Sequence, residues 1–269
     1  MARQRLGQHF LAGAGWRERI ARAVLSPPAG PHPSAGGVWI EIGAGHGEMT
    51  ALLASQASHV VAIELDSKLL PPLRALAARL GNVSVVSGDV LSLDLAELAG
   101  GRRFRVYGNI PYYITSPIVH RLFARPEHLD AAFLVVQLEV AARLTARPGR
   151  REYGYLSAFT QFHARSEILL RIPPGAFRPP PKVASALVAL RLPGEGAALG
   201  VNDEPAFVEF LKGCFAQKRK TLRNNLRAMV PPARAELLLA ECGIPREARA
   251  EQLSLAEMAR LFARAHAEV

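Results

Sequence analysis

The segment Asn109–Tyr112, which reads Asn-Ile-Pro-Tyr, has residue types suited to chemistry on the exocyclic amine of adenine. That amine is a poor nucleophile because its lone pair is conjugated with the ring. Asn109 Oδ1 and a backbone carbonyl near Ile110 can accept its two N–H groups and turn the lone pair out of the ring plane. Pro111 stiffens the turn, and Tyr112 offers a face on which an extruded base can stack. The segment therefore predicts a turn that positions an adenine amine for group transfer.

The glycine-rich segment Glu41–Gly47 is a candidate cofactor site. Glycines at a strand-to-helix turn let a ligand approach the backbone at the carboxyl edge of a sheet. The segment departs from the dinucleotide fingerprint G-x-G-x-x-G, because Glu48 stands where the third glycine would fall. This carboxylate and Glu41 disfavour a pyrophosphate and favour a ligand with a cationic head. S-adenosylmethionine fits, since it carries an ammonium, a sulfonium and a ribose but no phosphate.

Two further carboxylates follow the next two predicted strands. Glu64 lies 21 residues beyond Gly43, a spacing at which a carboxylate can accept both ribose hydroxyls. Asp89 follows the third predicted strand, where a carboxylate can accept the amino group of adenine. Each acid alone is typical of a loop-capping residue. Acids that follow three successive strands predict one nucleoside pocket.

The elements that must position these residues alternate between short β-rich runs and helical patterns. Such alternation predicts an α/β fold with a parallel sheet and helices on both faces. The predicted strands are Val38–Ile42, Val60–Ile63, Val83–Val86, Phe104–Tyr107, Ala132–Val136, Glu167–Ile172 and Ala184–Leu192. The predicted helices between the first three strands are Glu48–Ser55 and Lys68–Leu80. A turn-rich stretch, Pro27–Gly37, predicts a surface loop after an N-terminal helix.

The charge distribution predicts a polyanionic partner. The 269 residues carry a net charge of +10. Residues 38–100 hold three basic and seven acidic residues, whereas residues 101–193 hold fourteen basic and five acidic residues. This separation indicates one surface for a nucleic acid and a pocket apart from it. A charge that serves only solubility is the alternative.

The composition excludes several classes of protein. A hydrophobic fraction of 49% and a charged fraction of 21% exclude a disordered chain and a disulfide scaffold. Two cysteines cannot build a zinc cluster, so we expect no metal and a reducing, cytoplasmic location. The N-terminus shows no signal-peptide pattern, and the longest apolar run, near Ala131–Val136, is too short to span a bilayer, so we expect no membrane association.

The pattern becomes wholly helical from about Asn202. We therefore predict a catalytic domain over residues 1–193 and a small helical domain over residues 194–269. Within the second domain, the segment Gln217–Arg227 has five basic residues and no acid. These basic residues are Lys218, Arg219, Lys220, Arg223 and Arg227. On a helix Arg219, Arg223 and Arg227 would share one face, which we expect to contact RNA phosphates; a merely solvated face is the alternative.

The segment Phe177–Val183 contains three consecutive prolines and predicts an extended loop. Phe177 could close on the target base from the side opposite Tyr112. A position in the core is an equally good interpretation of Phe177.

Together these motifs resemble the ribosomal RNA adenine N6,N6-dimethyltransferase family over most of the chain. The motifs are Arg5–Leu11, Glu41–Gly47, Glu64, Gly88–Asp89, Asn109–Tyr112, Phe177–Ser185, Phe215–Leu226 and Arg249–Ser254. The last two motifs are similar to the bacterial small-subunit branch, which dimethylates two adjacent adenosines near the 3′ end of 16S rRNA. The resemblance implies a Rossmann-like class I methyltransferase sheet, S-adenosylmethionine as methyl donor, and 16S rRNA in the small ribosomal subunit or its precursor as partner. It implies a role in ribosome biogenesis, and we expect a monomer.

The resemblance also implies roles for individual residues. Those that line the cofactor site are His9, Leu11, Gly43, Glu64, Asp89 and Asn109. Those that handle the target base are Asn109, Tyr112 and Phe177. The chain departs from the family's usual residues at His9, Ala44 and Tyr113, where Asn, Pro and Asn are common. None of these departures removes a group that the chemistry requires.

Three other functions compete with this interpretation. A dimethyltransferase acting on large-subunit RNA is disfavoured by the segment Lys218–Leu226. A non-catalytic module for ribosome assembly is disfavoured by the intact turn Asn109–Tyr112. An NAD-dependent oxidoreductase is disfavoured by Glu48 and by the lack of a recognisable proton-donor motif.

Overall fold

The structure, a computed structural model, describes residues 9–25 and 36–266. The strands are β1 (Phe10–Leu11), β2 (Val38–Ile42), β3 (His59–Glu64), β4 (Val83–Ser87), β5 (Phe104–Asn109), β6 (Leu129–Gln137), β7 (Arg165–Ile172), β8 (Phe177–Arg178) and β9 (Ser185–Arg191). The helices are α1 (Ala14–Leu25), α2 (Glu48–Ala54), α3 (Leu70–Leu80), α4 (Leu95–Leu98), α5 (Thr115–Leu122), α6 (Leu138–Thr145), α7 (Tyr155–His163), α8 (Glu204–Cys214), α9 (Leu222–Leu226), α10 (Pro232–Glu241) and α11 (Leu255–His266). Of the predicted surface loop Pro27–Gly37, only the last two residues are among those described. The first four residues of the motif Arg5–Leu11 also lie outside the described residues.

A seven-stranded sheet has the order β4-β3-β2-β5-β6-β9-β7. The pairs among β2 to β6 are parallel, and β9 runs antiparallel to β6. The α/β fold predicted from the sequence is confirmed. In the sheet, β3 and β5 are the two neighbours of β2 and lie on opposite sides of it. The carboxyl ends of β2 and β5 therefore flank a topological switch point, where α/β sheets bind ligands.

The central strands of the sheet are buried on both faces. All five residues of β2 are buried, and β6 is buried over most of its length. Trp39 of β2 and Phe133 of β6 lie in one core, with ring centroids 5.9 Å apart. Helix α1 contributes its buried residues Ile20, Ala21 and Val24 to the same core. This packing fixes the strand ends from which the candidate site residues project.

A small second sheet was not predicted. Strand β1 pairs antiparallel with β8, with Phe10 opposite Arg178 and Leu11 opposite Phe177. The backbone N–H of Ala12 donates to the carbonyl of Ala176 at 2.9 Å. Strands of two residues have no measurable alternation, so a sequence pattern cannot reveal them. We call residues 9–12 the N-terminal strap.

The chain divides into two compact units, of which the first comprises Met1–Ala141 and Glu167–Leu192. The second unit comprises Ala142–Ser166 and Pro193–Val269. The sequence pattern assigned residues 142–166 to the catalytic domain, whereas the structure places them in the second unit. The reason is packing: Phe162 of α7 contacts Phe207 of α8, with ring centroids 5.0 Å apart in one hydrophobic core. The functional roles assigned to the two domains stay predictions.

Candidate active site

A cleft of about 840 Å³, which includes open solvent at its mouth, lies at the carboxyl ends of β2 to β5. Its lining includes residues predicted from four separate strand ends: Gly43, Glu64, Asp89, Asn109, Pro111 and Tyr112. His9 of the N-terminal strap also lines it. The structure therefore brings together most of the predicted cofactor and target-base residues.

The glycine turn after β2 is held by backbone conformations that favour glycine. Gly43, Gly45 and Gly47 have φ angles of 73°, 59° and 86°. At Gly47 a Cβ atom would lie 2.3 Å from Leu76 Cδ2, so the turn packs directly against α3. At Gly43 the nearest atom to such a Cβ is 3.9 Å away, which leaves the backbone open toward the cleft. The turn is thus tight on its helix side and accessible on its ligand side.

Glu64 joins the glycine turn to the end of β3. Its side chain is buried, and Oε2 accepts the Gly45 N–H at 2.7 Å. Oε1 accepts the Asp66 N–H at 2.8 Å. Each carboxylate oxygen has a second lone pair. Glu64 can therefore organise the turn and still accept a ligand hydroxyl, and its ribose-binding role stays a prediction.

Asp89 is exposed and lines the same cleft. Its Oδ1 accepts the Leu91 N–H at 3.0 Å and caps the short 3-10 turn Val90–Ser92. The loop-capping interpretation of this acid is therefore correct. It does not exclude the cofactor role, because a carboxylate that caps with one oxygen keeps further acceptor sites.

The Asn109 side chain is oriented by the N-terminal strap. Its Nδ2 donates to the backbone carbonyl of His9 at 2.7 Å. Because the amide is planar, this bond also fixes the direction of Oδ1, the atom predicted to accept a target amine. The next residue, Ile110, donates its own N–H to the carbonyl of Val135 at 3.1 Å and is buried. The turn is therefore anchored on β6 just beyond the reactive position.

Tyr112 is held from two directions. Its hydroxyl forms a hydrogen bond with Ser185 Oγ at 2.9 Å. Its ring stacks with the His9 imidazole, with centroids 5.7 Å apart and an interplanar angle of 27°. His9 Nδ1 in turn donates to the carbonyl of Pro179 at 2.7 Å. The side-chain roles of His9 and Ser185 carried no pattern in the sequence, because their partners lie far away along the chain.

The structure does not bring Phe177 to the cleft. Phe177 is 2% exposed and belongs to the core that also contains Leu11 and Ala176. The pairing of β1 with β8 covers it. In this conformation the core interpretation of Phe177 holds, and stacking on a base would require its ring to be uncovered. Leu11 is buried as well and borders a smaller cavity of about 370 Å³ behind the glycine turn.

Glu41 is a buried carboxyl beneath this turn. Burial raises its pKa to about 8, and the neighbouring carboxylates of Glu48 and Glu64 act in the same direction. The hydroxyl of Thr50 donates to Glu41 Oε2 at 2.5 Å, which opposes the shift. Glu41 is therefore mostly protonated at neutral pH. This shift favours the neutral acid at this position, and the negative charge expected of Glu41 for a cationic ligand stays a prediction.

The basic residues predicted to bind RNA lie in the second unit. The sequence pattern placed them on one continuous helix, but α9 begins only at Leu222. Thr221 caps it, with Oγ1 accepting the Asn224 N–H at 3.4 Å. The predicted common face of Arg219, Arg223 and Arg227 is wrong, because Arg219 precedes the helix in a turn.

These basic residues have two different environments. Arg223 and Arg227 lie 3.7 and 2.9 Å from Glu236 Oε1. Lys218, Arg219 and Lys220 are exposed, and Lys218 Nζ lies 3.9 Å from Glu251 Oε2. Lys218 Nζ donates to the carbonyl of Arg151 at 2.5 Å, which brings this turn to a second basic segment in the same unit. Arg219 and Lys220 are therefore better placed to meet a polyanion than Arg223 and Arg227, which lie beside Glu236.

In residues 9–25 and 36–266 no helix is both long and apolar enough to cross a membrane. Within the same ranges no group of three or more His, Cys, Asp or Glu side chains is arranged to hold a metal ion.

The strand order and the cleft at the switch point define an α/β fold of the class I methyltransferase type. Two solved structures support this class. The crystal structure of the 23S rRNA methyltransferase ErmE is 28% identical, with a TM-score of 0.70, and the match covers 95% of this chain and 98% of that chain. A dimethyladenosine transferase from Plasmodium falciparum is 25% identical, with a TM-score of 0.78, and the match covers 94% and 96%.

The sequence narrows this class to one family. The family model described as ribosomal RNA adenine dimethylase matches residues 1–267. The chain therefore belongs to the ribosomal RNA adenine dimethylase family, which confirms the resemblance stated from its motifs. It is an enzyme, and its reaction is the dimethylation of adenine in ribosomal RNA.

Curated relatives are similar along nearly the whole chain. A ribosomal RNA small subunit methyltransferase A from Acidobacterium capsulatum is 44% identical over 260 residues, with 96% of this chain and 89% of the relative covered. A protein of the same name from Xanthomonas euvesicatoria pv. vesicatoria is 40% identical, with 97% and 95% covered.

The raised pKa of Glu41 predicts how stability depends on pH. Its unfolded-state pKa is near the ordinary 4.5, while burial raises the folded-state pKa to about 8. Between these values the folded state binds more protons, so its stability falls as pH rises, by up to about 1.4 kcal/mol per pH unit. Glu41→Gln cannot ionise and should lack this loss. Urea unfolding at pH 5, 6.5 and 8 should therefore show the variant gaining stability over the wild type as pH rises. A constant difference would show that Glu41 does not retain its proton.

Proposed function

We propose that this chain transfers methyl groups from S-adenosylmethionine to the N6 amino groups of two adjacent adenosines near the 3′ end of 16S rRNA. The substrate is the small ribosomal subunit or its precursor, and the reaction serves ribosome biogenesis in the bacterial cytoplasm. The chain acts as a monomer and needs no metal. The observation that carries the proposal is the Asn109 amide, which is fixed by the His9 carbonyl and lines the cleft.

The cleft supports S-adenosylmethionine as the methyl donor. Glu64 and Asp89 would hold the ribose and the adenine of the cofactor, and the open backbone at Gly43 would leave room for its remaining portion. His9 and Leu11 belong to the strap beside this pocket. When bound, the cofactor supplies an electrophilic methyl group on a sulfonium and leaves as S-adenosylhomocysteine. The glycine turn carries no side chain into the cleft that would collide with such a ligand.

The turn Asn109–Tyr112 handles the target base. Asn109 Oδ1 and a backbone carbonyl near Ile110 accept the two N6 protons, which directs the nitrogen lone pair out of the ring plane. Pro111 keeps the turn rigid, and Tyr112 supplies the stacking face from a side chain already held by Ser185. Once the amine has taken a methyl group, it releases one proton, and no strong base is required. In the second transfer the nitrogen already carries one methyl group and keeps one proton, so only one of the two acceptors holds the amine while the second methyl group is added and that proton is released.

The relatives favour small-subunit over large-subunit RNA. Those at 40–44% identity are named ribosomal RNA small subunit methyltransferase A. The 23S rRNA methyltransferase structure is more distant, at 28% identity. The exposed residues Lys218, Arg219 and Lys220 supply the sequence-independent contacts to phosphates, with Arg223 and Arg227 beside them. A non-catalytic role in ribosome assembly would not require the oriented Asn109 amide.

The direct test is to incubate the enzyme with labelled S-adenosylmethionine and 30S particles that lack the modification. Mass mapping of the digested RNA should find dimethyladenosine at two adjacent positions near the 3′ end of 16S rRNA. Unmodified 50S particles serve as the control and should stay unlabelled. Label in 23S rRNA alone would contradict the proposed substrate.

Glu64→Ala should weaken S-adenosylmethionine binding roughly tenfold or more, because losing a charged hydrogen-bond partner costs about 1.5–3 kcal/mol. Calorimetry measures this change. Glu97→Ala, which removes an exposed carboxylate on α4, is the matched control and should bind as the wild type does. Since Glu64 also accepts the Gly45 N–H, thermal unfolding of both variants should be recorded. Unchanged affinity in Glu64→Ala would remove Glu64 from the cofactor site.

Asn109→Ala should reduce single-turnover methylation by roughly 100-fold, since its oxygen acts mainly in the transition state. Affinity for the 30S particle should change little, because charge elsewhere dominates that binding. Filter binding and single-turnover assays on the same particles separate the two effects. A preserved rate would show that Asn109 does not position the amine.

Arg219→Ala combined with Lys220→Ala should weaken binding to 30S particles and flatten its dependence on salt. The slope of log K against log salt should fall by about 0.7–0.9 for each lost phosphate contact. Arg223→Ala combined with Arg227→Ala removes the same charge from arginines that contact Glu236, and should flatten the slope less. If only the second pair changed the slope, the exposed turn would not be the RNA contact.

A further inference from the structure

The N-terminal strap carries the carbonyl that orients Asn109, yet few backbone bonds hold it. Strand β1 has two residues and, within residues 9–25 and 36–266, pairs only with the equally short β8. The bond from Ala12 to Ala176 secures one end of the strap. At the other end, the His9 ring bonds to the Pro179 carbonyl and stacks on Tyr112. A further contact comes from helix α1 and reaches the Leu11 carbonyl, which belongs to the same peptide group as the Ala12 N–H.

We infer that Arg17 is a positioning residue for methyl transfer, acting through the strap on Asn109. Arg17 Nη1 donates to the carbonyl of Leu11 at 2.8 Å, in a partly buried position. Hydrogen bonds from charged donors are about twice as strong as neutral ones. This inference rests on the role proposed for Asn109 in the reaction.

Helix α1 is a firm base for this contact. Ile20, Ala21 and Val24 are buried in the core of the first unit, so the helix cannot shift without disturbing that core. Arg17 lies one turn before Ala21, on the same side of the helix. Its side chain is 23% exposed, which leaves it little freedom to leave the strap. Arg17 therefore connects the N-terminal strap, which has few backbone hydrogen bonds, to a helix that is packed in the core.

The contact continues from Leu11 to the reactive turn. Leu11 and His9 are two residues apart in an extended segment, so fixing one carbonyl restricts the other. The His9 carbonyl accepts the Asn109 amide at 2.7 Å, and the His9 ring stacks on Tyr112. Without the Arg17 bond the strap is held less firmly at Leu11, and we expect the Asn109 amide to rotate more freely and to direct Oδ1 away from the target amine. The expected loss is therefore in the rate of transfer.

Glu48 is a second partner of the Arg17 guanidinium, and its contact is weaker than the hydrogen bond to Leu11. Its Oε1 lies 3.8 Å from Arg17 Nη1, and its side chain is 46% exposed. Ion pairs with this separation and exposure contribute little to stability. The pair does place Arg17 beside the first residue of α2, directly after the glycine turn. The same guanidinium thus contacts both the strap and the segment that follows the cofactor turn.

The test is a double-mutant cycle on methylation of 30S particles. Arg17→Ala should lower kcat by roughly tenfold, with a smaller rise in KM for the cofactor. Arg17→Gln, which keeps a donor for the Leu11 carbonyl but no charge, should recover part of this loss. Arg19→Ala is the matched control: it removes the same charge from the same helix, but Arg19 is exposed, with its guanidinium over Trp16. It should keep the wild-type kcat.

The decisive comparison uses Asn109→Ala as the background. If Arg17 acts through Asn109, adding Arg17→Ala to this variant should lower kcat by less than twofold further, because the amide it positions is absent. A full additional tenfold loss would overturn the inference, as would a wild-type kcat in Arg17→Ala alone. Asn109→Ala by itself tests the proposed function separately, since an unchanged rate there would remove the role of Asn109. Thermal unfolding of every variant identifies general destabilisation, and in that case Arg17→Gln replaces Arg17→Ala in the cycle.

Discussion

The hydrogen bond from Asn109 Nδ2 to the His9 carbonyl is the constraint on which the candidate active site depends. An asparagine amide can present either its nitrogen or its oxygen to a ligand, and only the oxygen can accept protons from an adenine amine. By occupying the nitrogen, the strap leaves the oxygen for the substrate. The same strap residue stacks on Tyr112 and bonds to Pro179, so one segment contacts both Asn109 and Tyr112 at this side of the cleft.

The cofactor side of the cleft depends on a separate interaction. Glu64 accepts backbone N–H groups from the glycine turn and from the loop after β3 with its two oxygens. Beneath the turn, Glu41 keeps its proton because its burial raises its pKa by penalising the charged form. The negative charge of the cleft therefore comes from the ends of the strands rather than from the buried layer below them.

The sequence predicted the sheet well because its strands are long and apolar. All five parallel strands were located to within a few residues, and their predicted ends correctly marked Glu64, Asp89 and Asn109 as neighbours at one edge of the sheet. The same reasoning did not find the short elements. The two-residue strands of the strap, and the turn that replaces a continuous helix before Leu222, have no periodicity to detect.

The burial and the partners of several side chains could also not be predicted from the sequence. Phe177 has the type of a stacking residue, yet the pairing of β1 with β8 buries it. Arg223 and Arg227 have the charge of an RNA contact, but Glu236 is near them only because helices α9 and α10 pack together. The segment 142–166 joins the second unit through the apolar residues of α7, and a helix of that composition is equally typical of a catalytic domain. In each case the deciding partner is distant along the chain.

The proposed mechanism requires that Asn109 Oδ1 receives the amine of the target adenine. A crystal structure of the enzyme with S-adenosylhomocysteine and adenosine bound would test this contact most directly. We predict that the adenine N6 atom lies about 2.7–3.2 Å from Asn109 Oδ1, while Asn109 Nδ2 keeps its bond to the His9 carbonyl. An adenine whose N6 atom faces Asn109 Nδ2, or lies beyond hydrogen-bond distance of Asn109, would contradict the mechanism.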